Sequence, residues 1–242
     1  MRFVWKIGLT FLFLTIAFRF TKSLKSSDST DSPSNVSETT QTPILIDTSN
    51  SAVAHKNLIA LDEFAEKMNK LELSYSESWK PIRYNISAQN ESNWVMDCSN
   101  TARFTYQEVY GIEIPRTSLD QYLYSKKKNR FSPIEWAQEE STTKQALISK
   151  LQAGDLLFWK NTYNVENDPP ISHVMIYLST DDTDKMFMFG AATQSRSRGS
   201  VKSGGIGIYP FDPYLKIGCR KDSNGKCLVS SEFVGWSRLR ND

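Results

Sequence analysis

Cys98 is the residue of this sequence whose type and setting best suit covalent chemistry. It lies in the stretch VMDCSNT, directly after an acidic residue and before small polar residues that can open a helix. Asp97 is a good N-cap, so the thiol is predicted in the first turn of a helix, where the helix dipole and backbone N–H groups stabilise a thiolate. A free cysteine is also often a small core residue, and both interpretations stay open at this point.

A thiol nucleophile needs a neighbouring base, and the chain contains two histidines. His55 lies at the edge of a polar segment, where an exposed residue without a role is the default interpretation. His173 lies in SHVMIYL, in which residues 173, 175 and 177 alternate with β-branched and aliphatic residues, as in a strand. A lone strand histidine is more often structural than catalytic. An unpaired cysteine at a helix start together with a strand histidine is nevertheless the combination that a Cys-His hydrolase needs.

The other two cysteines predict a disulfide. Cys219 and Cys227 bracket RKDSNGK, in which Asn224-Gly225 is a strong tight-turn signal. In an exported protein this spacing indicates a bridged hairpin; two reduced surface thiols are the alternative. No further cysteine or histidine lies near them, so we expect no metal site.

The start of the chain predicts export. Residues 1–23 combine a basic beginning with an apolar run of about twelve residues, too short for a stable membrane span. An uncleaved membrane tether is the alternative, because the cleavage signal is poor. Residues 24–54 are rich in Ser, Thr, Asp and Pro and lack aromatics, which predicts a disordered spacer. The folded domain is therefore expected at 55–242.

The order of the predicted elements places helices before strands. Apolar periodicity predicts helices at 57–73, from Cys98 to about residue 110, at 115–124 and at 142–151, and strands at 155–159, 172–178, 185–190, 205–209 and 232–239. This order predicts an α+β fold in which N-terminal helices pack on a meandering antiparallel sheet. The net charge of +2 is too small to suggest a nucleic-acid partner.

Two separate stretches resemble the NlpC-like cysteine peptidases, which are papain-like cell-wall hydrolases. DCSNTARFTYQEVYGIEIPRTSLDQ is similar to their nucleophile helix and the turn after it, and LQAGDLLFW followed by ISHVMIYL is similar to their GDLLFF and HVGIYLG segments. The resemblance implies a papain-like fold with Cys98 as the nucleophile and His173 as the general base. It also implies that Tyr84 shapes the oxyanion region, although a core or rim aromatic is as good an interpretation of that residue, and that Asp97 and Ser99 line the substrate cleft.

The sequence also departs from that pattern. Relatives usually carry a third polar residue, often His, on the strand after the base, and Gly190 occupies that place here. A glycine has no side chain with which to orient His173, so Gln194, Thr193 or a backbone carbonyl would have to do so. Arg116, in the turn after the nucleophile helix, is expected to hold that turn together rather than to contact substrate.

The resemblance implies a secreted thiol protease that hydrolyses the bond between D-glutamate and a diamino acid in peptidoglycan stem peptides. It implies no metal or cofactor, a location in the bacterial cell envelope, and membrane contact only through an uncleaved N-terminal segment. Two alternatives stay open. One is a peptidoglycan-binding module with weak or lost catalysis, favoured by Gly190, and the other is a cell-wall amidase of the same fold.

Overall fold

The computed structural model describes residues 48–71, 73, 75, 96–195 and 203–240, all of which belong to one compact unit, Ile46–Asp242. The predicted export segment and Tyr84 lie outside the described residues. Within the described part of the chain, no helix has the length and apolar character needed to cross a membrane.

Four helices are described, and the second carries the candidate nucleophile. Their bounds are α1 Thr48–Lys70, α2 Cys98–Tyr110, α3 Ser118–Lys127 and α4 Glu140–Lys150. Helix α2 begins and ends where the sequence predicts. The Asp97 side chain accepts a hydrogen bond from the Asn100 N–H at its start, and Gly111 adopts the left-handed conformation, with φ of 66°, at its end. Helix α1 begins at Thr48, before the domain boundary expected at residue 55.

Six strands form an antiparallel sheet, and two more form a separate hairpin. The sheet strands are β1 Phe131–Pro133, β2 Leu156–Lys160, β3 Ile171–Thr180, β4 Met186–Ser195, β5 Ser203–Phe211 and β8 Glu232–Ser237, and the hairpin strands are β6 Cys219–Lys221 and β7 Cys227–Ser230. The order across the sheet is β1-β8-β2-β3-β4-β5, in which β2 to β5 form a meander. The predicted α+β class is confirmed. The short strand β1 was not predicted.

The two faces of the sheet bury different clusters. Val174, Ile176 and Leu178 of β3 share one core with apolar residues of α1 and α2. Met175 and Tyr177 share the other with α4 and a group of aromatic residues. The alternation predicted for β3 is therefore confirmed. Because β3 is central and buried on both sides, the backbone around His173 is held firmly by the core.

The hairpin β6–β7 is closed by a disulfide between Cys219 and Cys227, whose Cα atoms lie 5.6 Å apart. It joins the two cysteines for which the sequence predicts a bridge, and it leaves Cys98 as a free, buried cysteine.

Candidate active site

The start of α2 is fixed by hydrogen bonds to the Asp97 carboxylate. Asp97 Oδ1 accepts from the Asn100 N–H at 2.7 Å and from Ser99 Oγ at 3.1 Å. The bond from Asn100 satisfies a backbone donor that a helix start would otherwise leave unpaired. Cys98, between these residues in the chain, is thereby fixed at the first position of the helix.

The turn after α2 folds back and forms hydrogen bonds to the start of the same helix. Arg116 Nη1 donates to Asp97 Oδ1 at 3.0 Å and to Ser99 Oγ at 2.8 Å, and its Nη2 donates to Asp97 Oδ2 at 2.6 Å. The fully buried Gln121 donates from Nε2 to the carbonyl of Ser99 at 2.9 Å and to that of Pro115 at 2.8 Å. The holding role expected for Arg116 agrees with these contacts, which extend it from the turn to the helix start.

The Cys98 thiol is buried against the strand that carries His173. Burial raises the pKa of the thiol to about 12, and the negative charge of Asp97 adds to the rise. Hydrogen bonding to the backbone of Val174 and of Ser99, and the positive charge of Arg116, act in the opposite direction on this pKa. The backbone interaction with Val174 places the sulfur next to the residue that follows His173. At neutral pH the thiol is therefore protonated in this state.

His173 is buried on β3 with its ring against Trp159. The two residues are register partners on β3 and β2, and their ring centroids lie 5.8 Å apart in an edge-to-face arrangement. Burial lowers the pKa of His173 to about 4, and the charge of Asp97 opposes this shift. Asp97 therefore acts electrostatically on both Cys98 and His173. At pH 7 the imidazole is neutral and able to accept a proton.

Two neighbouring pockets give access to these groups. The pocket that we call the thiol pocket has a volume of about 120 Å³ and is lined by Asp97, Cys98, Ser99, Arg116, Thr117 and Ser118, with Tyr75 and Tyr163. The imidazole pocket has a volume of about 130 Å³ and is lined by His173, Thr162, Ala192, Thr193 and Ile217, again with Tyr75 and Tyr163. The two tyrosines common to both linings make the pockets parts of one cleft. A chain molecule bound along this cleft would pass both candidate reactive groups.

A sequence model of the NlpC/P60 family matches residues 83–206, slightly more than half of the chain. The chain belongs to the NlpC/P60 family. The match contains both Cys98 and His173, and it indicates a cell-wall hydrolase of the cysteine peptidase kind, as the resemblance implies. A search of the curated proteins finds no match.

Met175 fills the space beside Gly190, the position at which the resemblance implies a third polar residue. A Cβ built on Gly190 would lie 2.5 Å from the Met175 Sδ and 3.0 Å from its Cε. Met175 is fully buried, and it stands where the family segment HVGIYLG has a glycine. The space that an orienting side chain at position 190 would need is occupied by a thioether.

The other candidates for orienting His173 lie near the end of β4. Thr193 is exposed and lines the imidazole pocket. Gln194 lies on β4, but its side chain is outside the described part of the chain, as is Tyr84, so their roles stay predictions. The ring contact that the structure gives His173 is with Trp159. Among the described residues, no group of three or more His, Cys, Asp or Glu side chains is arranged to hold a metal ion.

Sequence reasoning missed four residues of this site. Trp159 and Met175 were assigned only to strands, and nothing was assigned to Tyr75 or Tyr163. The strand pattern of β2 and β3 predicts that Trp159 and His173 lie in a sheet, but not that they are register partners. For Tyr75 and Tyr163, which come from a linker and a loop, no signal in the spacing could have found their place in the cleft.

Proposed function

We propose that this protein is a cysteine peptidase that hydrolyses peptidoglycan stem peptides between D-glutamate and a diamino acid, with Cys98 as nucleophile and His173 as general base. The observation that supports the proposal is the position of the Cys98 thiol at the start of α2, next to the backbone of Val174, the residue that follows His173. A thiol at a helix start and an imidazole on the adjoining strand are the two groups that acyl transfer through a thioester needs.

The proposed mechanism begins from a neutral thiol and a neutral imidazole, in keeping with the raised pKa of Cys98 and the lowered pKa of His173. The Cys98 sulfur attacks the scissile carbonyl carbon as His173 takes the thiol proton, and His173 then gives that proton to the leaving amine nitrogen as the C–N bond breaks. Water attacks the thioester with His173 again as the base, which releases the carboxylic acid and restores the thiol. The backbone N–H at the start of α2 stabilises the developing oxyanion.

The charged groups at the rim suit a polar peptide. Asp97, Ser99 and Arg116 line the thiol pocket beside Cys98, so the lining next to the thiol carries both signs of charge. A stem peptide also carries both signs, on its carboxylates and its amino groups. We assign Asp97 and Ser99 to the substrate-lining part of the site, and Thr193 and Gln194 to the region that orients His173.

An exported location completes the proposal. The Cys219–Cys227 disulfide fits an oxidising compartment. Residues 1–23 would direct export to the cell envelope, and the polar segment between them and α1 would let the domain reach the wall. Contact with a membrane would come only through the N-terminal segment if it stays uncleaved.

A binding module with weak or lost catalysis is the second candidate. Two observations favour it: Met175 occupies the place of an orienting side chain, and burial holds the pKa of Cys98 near 12, which keeps the thiolate scarce. Such a protein would recognise stem peptides in the same cleft without cleaving them.

The deciding experiment is digestion of purified peptidoglycan by the full chain, with mass spectrometry of the released fragments. We expect fragments ending at D-glutamate, and none with Cys98→Ala or His173→Gln, while the matched control His55→Gln cleaves like the wild type. Fragments released at the junction of sugar and peptide would identify an amidase instead. Retention of the chain on peptidoglycan without any cleavage would establish the binding module.

A further inference from the structure

Tyr163 lies at the junction of the two pockets, on the connection between β2 and β3. Its side chain is 46% exposed, and it lines both the thiol pocket and the imidazole pocket. An aromatic side chain at such a junction presents a broad surface to anything that passes from one pocket to the other. Tyr163 can orient a bound ligand only if the loop around it is held in one position.

On one side, the loop is fixed to the strand that carries His173. Ser172 Oγ accepts a hydrogen bond from the Thr162 N–H at 2.8 Å and lies 2.8 Å from Thr162 Oγ1. Ser172 is fully buried and directly precedes His173. The residue before Tyr163 is therefore set by the same strand that sets the candidate base.

On the other side, the loop is fixed to the hairpin β6–β7. Asn164 Nδ2 donates to the Lys221 carbonyl at 2.8 Å, and the Lys221 N–H donates to Asn164 Oδ1 at 2.6 Å. This pair of bonds uses both ends of the amide side chain and continues the edge of β6. Gly218, just before the hairpin, packs so closely against the Thr162 carbonyl that a Cβ would not fit between them.

The hairpin is itself held at its base. The Cys219–Cys227 disulfide joins its two strands. The Ser231 N–H donates to the Gly218 carbonyl at 3.0 Å, and the Ile217 N–H donates to Ser231 Oγ at 2.8 Å. Ile217 also lines the imidazole pocket. The hairpin is thus linked to the cleft at two places: through Ile217, which lies just before it in the chain, and through Asn164 at the Tyr163 loop.

We propose that Tyr163 is a substrate-positioning residue that contacts the stem peptide where it passes from the thiol pocket to the imidazole pocket, and that the disulfide-closed hairpin holds Tyr163 in place through the Asn164–Lys221 pair. The inference rests on the proposed function for the identity of the ligand. The phenol ring offers an apolar face to the peptide, and the fixed loop lowers the ordering cost that the ligand would otherwise bear on binding.

Binding of a soluble stem peptide containing D-glutamate joined to a diamino acid tests this. Calorimetry would use the full chain carrying Cys98→Ala, so that no turnover occurs. We expect Tyr163→Ala to raise the Kd about 10-fold and Tyr163→Phe to leave it within about twofold. Asn164→Ala and the double variant Cys219→Ala/Cys227→Ala should each raise it about threefold or more. Asn224→Ala, at the far tip of the same hairpin, is the matched control and should bind like its parent.

A measurement without ligand tests the support separately. Hydrogen exchange at the Thr162, Tyr163 and Asn164 amides should become faster with Asn164→Ala and stay unchanged with Asn224→Ala. An unchanged Kd for Tyr163→Ala would overturn the positioning role, and equal effects of Asn164→Ala and Asn224→Ala would overturn the role of the hairpin. If the parent itself does not bind the peptide, the proposed function fails and the inference fails with it. Binding by the parent with no loss in Tyr163→Ala removes the inference alone.

Discussion

The start of α2 and the middle of β3 hold the two candidate reactive groups with different kinds of contact. The helix start that carries Cys98 is held by polar contacts: Asp97 caps the helix, and Arg116 and Gln121 return from the next turn. The thiol itself is buried in the apolar core, against the backbone of Val174. Around His173 the ring contact is aromatic, from Trp159 on the neighbouring strand. A local polar network can be recognised in a sequence as a motif, whereas a packing arrangement across strands cannot.

The difference also suggests how each side performs its role. The polar network fixes the position of Cys98, while burial raises the pKa of its thiol, the charge of Asp97 adds to the rise and that of Arg116 opposes it. The apolar surroundings of His173 keep its imidazole neutral. Polar contacts therefore set the geometry of the helix start, and burial sets the protonation state of both candidate groups. Variants that alter one side without the other can separate these two roles.

The largest expected effect follows from removing the base. His173→Gln keeps a polar side chain of similar size but cannot accept the thiol proton, so kcat/KM for stem peptide should fall about 1,000-fold. His55→Gln should retain the wild-type value. Steady-state kinetics with mass-spectrometric product detection measures the change. A loss smaller than about tenfold would remove His173 from the catalytic role.

The next effect concerns stability at acid pH. Because the folded-state pKa of His173 is about 4 and its ordinary value is 6.5, folding favours the neutral ring. That contribution is complete above pH 6.5 and is lost as the pH falls from 6.5 towards 4. The free energy of unfolding should therefore fall by about 3 kcal/mol more between pH 7 and pH 4 in the wild type than in His173→Gln.

Urea unfolding at both pH values measures this difference. Buried carboxyl groups such as Asp155, whose pKa is raised by burial, contribute equally to wild type and variant and so cancel. Parallel pH profiles for the two proteins would show that His173 is exposed to solvent and that its surroundings do not lower its pKa.

A smaller loss of unfolding free energy is expected when a polar contact at the start of α2 is removed. Arg116→Ala removes three hydrogen bonds from a carboxylate and a hydroxyl that are largely shielded from solvent, which should cost about 2 kcal/mol of unfolding free energy. The matched control is Arg103→Ala, which breaks an ion pair with the exposed Glu113 and should cost less than about 1 kcal/mol. Urea unfolding at pH 7 compares the two. Equal losses would mean that the network around Asp97 contributes no more than a surface ion pair.

The same contrast explains how far sequence reasoning reached. Asp97 as a cap, Gly111 as the end of α2, the alternation of β3 and the turn at Asn224-Gly225 are all specified by neighbours in the chain, and all appear in the structure. The three-residue strand β1 pairs with β8, more than a hundred residues away, and has no periodicity of its own. Its existence depends on tertiary pairing, which a single sequence does not encode in any short window.

The site divides in the same way. Residue type and local spacing mark Cys98, Asp97 and His173 in the sequence, and the family resemblance implies their roles and that of Ser99. Tyr163 was not, because its place depends on a loop that is held by a hairpin more than fifty residues later. Gly190 was noticed as a missing side chain, but its complement Met175 was not, because the two meet only when β3 pairs with β4.

The smallest predicted effect tests the contact between Met175 and Gly190. Gly190→His alone cannot fit against the Met175 Sδ and should destabilise the protein, and Met175→Gly alone should leave a cavity in the core. The double variant Met175→Gly/Gly190→His fills the cavity with a polar ring on the same face of the sheet as His173. We expect it to be more stable than the sum of the two single changes predicts, because the residues are in contact.

In activity, the double variant should gain about tenfold in kcat with little change in KM, since an added orienting group acts on the base and not on substrate binding. Met175→Ala/Gly190→Ala is the control for volume without a polar group, and it should gain nothing. A double variant that folds as expected but gains no activity would mean that Trp159 already orients His173 sufficiently. The aromatic side of the site would then be a complete alternative to the polar residue of the family pattern.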